Sequence, residues 1–187
     1  MQRLTVLAAV ALAVLAAAGC ADEQLGFGGL TEPPPPPSLP SYESQSPMTF
    51  QARDFAWSAH PGPASIFGAM AYHIGAAHYS CQGGDVLLTP ETAWSRRRMV
   101  ILYGSAISAA VPVSIVRART PSAPSGDYAR YVRKTTCDDS NHFSFENLPS
   151  GAWFVITIAK PMDGPGEDVA VTRRVETRGG PRSVTLY

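Results

Sequence analysis

The sequence has little charge and no excess of either sign. Its 187 residues include 15 Lys and Arg against 15 Asp and Glu, and charged residues make up only 16% of the chain. Proteins that bind nucleic acid normally carry a strong basic excess, so we expect no nucleic-acid partner. Hydrophobic residues make up 45% of the chain, which excludes full disorder.

The common catalytic motifs are also missing. None of the four histidines is followed three residues later by glutamate, and neither a Gly-x-Ser-x-Gly elbow nor a glycine-rich phosphate loop occurs. Asp138 and Asp139 are adjacent, and adjacent side chains of an extended chain point apart, which makes a poor acid–base pair. We therefore expect a protein that is not an enzyme and has no cofactor or metal.

The N-terminus has the pattern of an export signal. Arg3 precedes the apolar run Leu4–Ala18, which is shorter than the roughly 20 residues that a membrane-spanning helix needs. The run ends in Ala17-Ala18-Gly19-Cys20, which resembles a bacterial lipobox. The resemblance implies a signal peptide at residues 1–19, acylation of Cys20 and anchoring in the outer membrane, on its periplasmic or surface face. An ordinary signal peptide with an incidental cysteine is the alternative.

Residues 20–49 have the composition of a tether. Seven of the 17 prolines lie between Pro33 and Pro47, and five of them are consecutive. Such runs favour an extended polyproline II conformation that acts as a stiff spacer. A ligand for a proline-recognition groove is the alternative.

The chain from residue 50 to 187 predicts a small antiparallel β-sandwich. Short apolar or alternating runs recur between turn signals, as all-β folds require. The runs are Ala64–His73, Asp85–Thr89, Val113–Arg117, Phe143–Asn147, Trp153–Ala159, Val169–Val171 and Ser183–Tyr187.

One helix is predicted within this domain. Thr89 is the expected N-cap, Pro90 the first helical residue, Arg96–Tyr103 the body and Gly104 the stop. The uncharged stretch Met99–Val116 is long enough to invite a membrane-spanning interpretation, which its glycine, serine and proline residues weaken.

Two features are candidate contact surfaces. Arg96, Arg97 and Arg98 form a basic cluster that either meets a partner or is a solvated helix face. The segment Arg119–Asp127, with Pro121 and Pro124, predicts an exposed, mobile loop that is either a binding loop or a connector.

Residues 138–155 carry a family resemblance. Asp138-Asp-Ser-Asn-His-Phe-Ser-Phe-Glu-Asn-Leu-Pro-Ser-Gly-Ala-Trp-Phe-Val155 resembles the signature of carboxypeptidase regulatory-like domains, and Ser65–Ala71, Cys81–Trp94 and Val175–Leu186 are similar to their other strands. The resemblance implies a transthyretin-like sandwich and says little about activity. Asn141 or His142 replaces the usual turn glycine, which Asn tolerates.

One of the three cysteines lies at the end of the export signal, and the other two lie in the predicted domain. If Cys20 is acylated, Cys81 and Cys137 remain in an exported domain, where a disulfide is expected. A bond across 56 residues would stabilise the fold by roughly 3–4 kcal/mol. A zinc site with His78 and His142, or free thiols, are the alternatives.

The oxygen-bearing side chains of Asp138, Asp139 and Asn141 allow two interpretations. They either bind calcium or form a simple hairpin turn.

These patterns predict an envelope lipoprotein that binds the membrane through its lipid and binds a protein or glycan through its sandwich. An accessory subunit of an envelope enzyme or of a secretion complex is the alternative.

Overall fold

The fold is a β-sandwich of two sheets, as the sequence predicts. The structure is a computed structural model, and it describes residues 49–187. The predicted signal peptide, Cys20 and nearly all of the tether lie outside the described residues.

Ten strands and two α-helices make up the described chain. The strands are β1 (Ala64–Met70), β2 (His73–Ile74), β3 (Ala77–Ser80), β4 (Asp85–Pro90), β5 (Ser108–Pro112), β6 (Arg133–Thr136), β7 (His142–Leu148), β8 (Gly151–Pro161), β9 (Val169–Thr177) and β10 (Pro181–Leu186). The helices are α1 (Ala93–Tyr103) and α2 (Val113–Arg119), and short 3-10 helices cover Ala52–Ala59, Thr120–Ser122 and Ala129–Tyr131.

The strands divide into a small and a large sheet. The small sheet has the order β10-β1-β7, with β1 antiparallel to β7 but parallel to β10, so the sandwich is not antiparallel throughout as predicted. The large sheet centres on β8, which pairs with β9 along one edge and with β4 and β3 along the other. Strand β5 extends it beyond β9, β6 beyond β4 and β2 beyond β3. All pairs of the large sheet are antiparallel.

The main core lies between the two sheets. Strand β8 sends Trp153 and Val155 into it, and β7 contributes Phe143 and Phe145, all of them buried. The alternation of apolar residues in β7 therefore identifies its inward face correctly, because successive side chains of a strand point to opposite faces.

A second, smaller core explains why the run Trp153–Ala159 is apolar on both faces. Phe154 points to the other side of the large sheet, where it packs with Met99 of α1 and Ala106. A strand with sheet on one face and helix on the other must be apolar throughout. Helix α1 thus covers the outer face of the large sheet, and this layer builds the site described below.

The predicted start of the helix is wrong by three residues. Thr92, not Thr89, is the N-cap, and its side chain accepts from the backbone N–H of Ser95 while Ser95 Oγ accepts from the backbone N–H of Thr92. Pro90 ends β4 opposite Trp153, beyond the residues that β6 pairs. Gly104 ends the helix in a left-handed conformation (φ 77°), as predicted.

The predicted strand Val113–Arg117 is helical. Strand β5 ends at Pro112, and α2 begins at Val113, whose backbone N–H donates to Asp168 O at 2.9 Å. The next free donor, Ser114 N–H, is satisfied by the Glu167 carboxylate at 2.9 Å. Contacts with the β8–β9 connection therefore satisfy the first backbone N–H groups of α2. No local sequence pattern reveals these contacts.

The stretch Met99–Val116 is divided between the end of α1, β5 and the first turn of α2. Within residues 49–187, no helix has the length and apolar character needed to span a membrane.

Candidate functional site

A groove of about 450 Å³ opens on the outer face of the large sheet, beside α1. Its floor includes Leu87 of β4 and Ile156 of β8, which face each other across the two strands. One wall is α1 and the other is the segment that follows α2. The remaining lining residues are Thr89, Arg98, Leu102, Tyr103, Val116, Thr120, Tyr128, Ala129, Val132 and Lys134.

Helical periodicity positions the polar wall of the groove. Trp94, Arg98 and Leu102 recur every four residues along α1 and so lie on one face. Trp94 and Leu102 are buried, while Arg98 is half-buried at the groove. The capping box at Thr92 fixes where the helix begins, and through it which side chains face the groove.

Arg98 packs against two aromatic rings that are also in contact with each other. Its guanidinium carbon lies 5.2 Å from the ring centroid of Tyr128 and 5.9 Å from that of Trp94, and the two rings are 5.0 Å apart. Arg98 Nη1 also donates to Pro124 O at 2.7 Å. Stacking and this hydrogen bond orient the guanidinium, which presents its other N–H groups in a fixed geometry.

An aromatic cluster supports this arrangement from behind. Phe50 and Phe55 pack against Trp94, with ring centroids 5.5 Å and 5.9 Å from it. Tyr131 stacks on Phe55 at 5.2 Å. The 3-10 helix Ala52–Ala59 and the turn Ala129–Tyr131 therefore fix the wall opposite α1.

A recess of about 40 Å³, lined by Trp94, Arg98, Tyr103 and Tyr128, adjoins the groove. Trp94 is only 1% exposed, and its Nε1–H has no hydrogen-bond acceptor among residues 49–187. Buried indole N–H groups normally have a partner, and leaving one without costs about 1–3 kcal/mol. The recess has room for a group the size of a hydroxyl, not for a ring.

The electrostatics of the groove favour neutral or negative ligands. The charged side chains that line it are Arg98 and Lys134, and Lys134 forms an exposed salt bridge of 2.7 Å with Asp85. Burial raises the pKa of Tyr103 to about 12, with a further increase from Tyr128 and an opposing effect of Arg98. The Tyr103 hydroxyl is therefore protonated, and able to donate, throughout the physiological range.

The three consecutive arginines do not form a single surface. Arg96 pairs with Glu91 at 3.0 Å, Arg97 is half-buried, and Arg98 faces the groove. Successive residues of a helix point about 100° apart, so a run of three cannot share one face.

The segment Arg119–Asp127 is less exposed than predicted. Ala123 and Pro124 are buried, and the carbonyl of Pro124 accepts the hydrogen bond from Arg98. Pro121 is exposed within the 3-10 turn Thr120–Ser122. Of the predicted contact residues, the structure thus brings Arg98 and Pro124 together at the groove and leaves Pro121 on the outer surface.

Cys81 and Cys137 form a disulfide, as the sequence predicts, with their Cα atoms 5.7 Å apart. Both sulfurs are buried in the main core. The bond occupies the thiols that a zinc site with His78 and His142 would need. Within residues 49–187, no three His, Cys, Asp or Glu side chains are placed to hold a metal.

The acidic turn after Cys137 is held by its own hydrogen bonds. Asp138 Oδ1 accepts from the backbone N–H groups of His142 and Ser140, at 2.8 Å and 2.9 Å, and these bonds lower the pKa of its carboxyl. Asn141 adopts φ 64°, and its Oδ1 accepts from Ser80 Oγ. These oxygens are committed to the hairpin turn rather than grouped around an ion.

Tyr103, Tyr128 and Trp94 are functional candidates that sequence reasoning missed. Tyr128 and Tyr131 occur in a segment otherwise rich in Ser, Gly and Pro, where aromatic side chains have no obvious core to enter. The contrast between these tyrosines and their surroundings is a signal from which the site could be predicted. The orphan N–H of Trp94 has no sequence signature, since it depends on packing between distant elements.

No protein-family profile and no curated protein sequence matches the chain. Its fold is similar to the crystal structure of a Pseudomonas aeruginosa protein described as a candidate carbohydrate-binding protein. The TM-score is 0.53 at 20% sequence identity, and the match covers 73% of this chain and 96% of that protein. At this level of identity the similarity concerns the fold alone.

Proposed function

We propose that the chain is a lipid-anchored, noncatalytic envelope protein whose sandwich binds a glycan in the groove beside α1. The observation that carries the proposal is a groove lined by aromatic and cationic side chains, beside a recess against the buried Trp94, whose Nε1–H has no partner among the described residues. A sugar hydroxyl is an acceptor of the size that the adjoining recess admits.

The groove has the mixture of surfaces that a sugar ring requires. A pyranose has apolar C–H faces and a rim of hydroxyl groups, so it needs apolar walls with a few fixed polar groups. Leu87, Ile156 and Tyr128 supply the apolar surface, and Arg98 and Tyr103 supply oriented donors. The stacked Arg98 is pre-organised, which reduces the entropy cost of binding.

The groove is proposed as a binding site and not as an active site. Most glycoside hydrolases place two carboxylates on either side of the scissile bond. The charged lining residues of this groove are both cations. The P. aeruginosa protein of similar fold, described as a candidate carbohydrate-binding protein, supports binding as the role. The carboxypeptidase regulatory-like relationship is likewise a proposal, which the sandwich fold supports.

A glycan-binding measurement with the full-length chain tests the groove. We expect retention of envelope glycans or peptidoglycan fragments on an array, and a loss of affinity of about tenfold in Trp94→Phe, which keeps an aromatic ring but removes the donor. Tyr128→Ala would weaken binding further, because it removes both a sugar-facing ring and the support of Arg98. The matched control is Phe67→Ala, a 49% exposed aromatic on the small sheet. Equal binding by wild type and Tyr128→Ala contradicts the proposal.

Cell fractionation tests the anchor. The wild-type chain is expected in the membrane fraction, and Cys20→Ala is expected in the soluble periplasmic fraction, because acyl chains on Cys20 supply the attachment. Full membrane retention of Cys20→Ala would exclude lipid anchoring at this residue.

A further inference from the structure

A second groove, of about 510 Å³, lies between β9 of the large sheet and β10 of the small sheet. It is separate from the groove beside α1, since the two share no lining residue. Its lining residues are Arg173, Arg174, Val175, Glu176, Arg182, Ser183, Val184, Thr185 and Tyr187. We refer to it as the β9–β10 cleft.

The β9–β10 cleft has an excess of positive charge. Arg174 is paired with Glu91 at 2.5 Å, and Glu176 is paired with Arg178 at 3.1 Å. Arg173 and Arg182 have no carboxylate within salt-bridge distance among residues 49–187. Two guanidinium groups therefore face the cleft without a salt bridge, and Arg182 interacts only at longer range with Glu176, where it helps to lower the pKa of that carboxyl.

Arg173 is fixed in place by its neighbours. By the alternation of β9 it lies on the same face as the core residues Val171 and Val175. Its guanidinium carbon is 4.5 Å from the ring centroid of Tyr187, and Nη1 donates to Thr185 O at 3.1 Å. Guanidinium groups carry five donors, so most remain available while the plane of the group is held.

We propose that the β9–β10 cleft binds an anionic group, a carboxylate or a phosphate, carried by a charged glycan. Arg173 supplies a pre-oriented fork that matches the geometry of either group. Arg182 adds a second cation, and Ser183 and Thr185 add hydroxyl groups for the rest of the sugar. Binding in the cleft does not depend on binding in the groove beside α1. Either proposal can therefore be contradicted without the other.

Isothermal titration of the full-length chain with a galacturonic acid hexamer tests the proposal. Maltohexaose is the neutral probe of equal length. We expect the charged hexamer to bind through the cleft and to weaken as salt is raised, because ion pairing is screened. Inorganic phosphate distinguishes the two kinds of anion. If phosphate competes with the charged hexamer, the cleft accepts phosphate as well as carboxylate. If it does not compete, the cleft is a carboxylate site.

Arg182→Gln is the decisive variant, because it removes a charge and breaks no hydrogen bond or salt bridge within the described residues. Its expected effect is a loss of affinity for the charged hexamer of about tenfold. Arg173→Lys keeps the charge but loses the planar fork, and a smaller loss is expected. Arg53→Gln is the matched control, since Arg53 has an 85% exposed side chain on the 3-10 helix Ala52–Ala59. The proposal is overturned if neither charged probe binds, if maltohexaose binds equally well, or if Arg182→Gln behaves like Arg53→Gln.

Discussion

Tyr103 shows how the groove changes the chemistry of a single side chain. Burial at the end of α1, against the outer face of the large sheet, raises its pKa to about 12, and the neighbouring Tyr128 adds to the increase. The phenol of an unfolded chain titrates near pH 10. The folded protein therefore keeps the Tyr103 hydroxyl protonated over a pH range in which the unfolded chain has released this proton.

This difference predicts a pH-dependent stability. A raised folded-state pKa contributes stability that is fully present below pH 10 and is lost as the pH rises toward about 12. Within that window, the free energy of unfolding of the wild type should fall by up to about 1.4 kcal/mol per pH unit more than that of Tyr103→Phe.

Urea unfolding of both proteins at several pH values between about 9 and 12 provides the measurement. Phe keeps the ring packing, so the two curves are expected to differ only in slope. Parallel curves would show that Tyr103 has an ordinary pKa and that the recess is open to solvent.

Single residues were predicted well from the sequence where local chemistry decides their role. Gly104 ends α1 with a positive φ, and Asn141 replaces glycine in a left-handed turn. The sequence alone favours Thr89 over the true cap Thr92, because both are threonines preceding a helix-like run. Only the tertiary pairing of Pro90 with Trp153 shows that β4 continues to that residue.

At the scale of elements, the disulfide is the strongest connection between distant parts of the chain. Cys81 follows β3, and Cys137 directly follows β6. Backbone hydrogen bonds join the same two segments, from Gly83 N–H to Cys137 O and from Cys137 N–H to Gly84 O. The disulfide therefore joins two segments that these backbone hydrogen bonds also hold together.

Removing the disulfide should destabilise the fold without changing it. For a separation of 56 residues, the chain-entropy model gives a loss of about 4 kcal/mol in the free energy of unfolding. Chemical unfolding of Cys81→Ala/Cys137→Ala against the oxidised wild type measures this loss.

Reduced wild type is the control for this experiment, because it keeps both sulfur atoms in the core while opening the loop. It should unfold near the double variant. A double variant that is within about 1 kcal/mol of the oxidised protein would show that the hydrogen bonds alone hold the two segments together.

Element type was harder to predict where a pattern fits two structures. Trp153–Ala159 is rich in β-branched and aromatic residues, and it forms the centre of the large sheet. Val113–Arg117 also alternates, yet it is helical, because Glu167 and Asp168 satisfy its first N–H groups from another part of the chain. Short segments carry too little local preference to outweigh such contacts.

At the scale of the molecule, the sequence predicted the sandwich but not its groove. The two sheets follow from repeated alternation between turns, which is local information. The groove requires α1, the outer face of β8 and the aromatic cluster around Trp94 to meet, and these lie far apart in the chain. Such long-range packing is not encoded in any single motif.

We propose that the groove beside α1 is the glycan-binding surface. Hydrogen–deuterium exchange of the full-length chain, with and without the glycan that it retains most strongly, locates the binding surface. We expect increased protection in α1, in residues 120–134 and in β4, with little change in the small sheet away from the β9–β10 cleft. Protection confined to other surfaces, with the groove unchanged, would contradict this proposal.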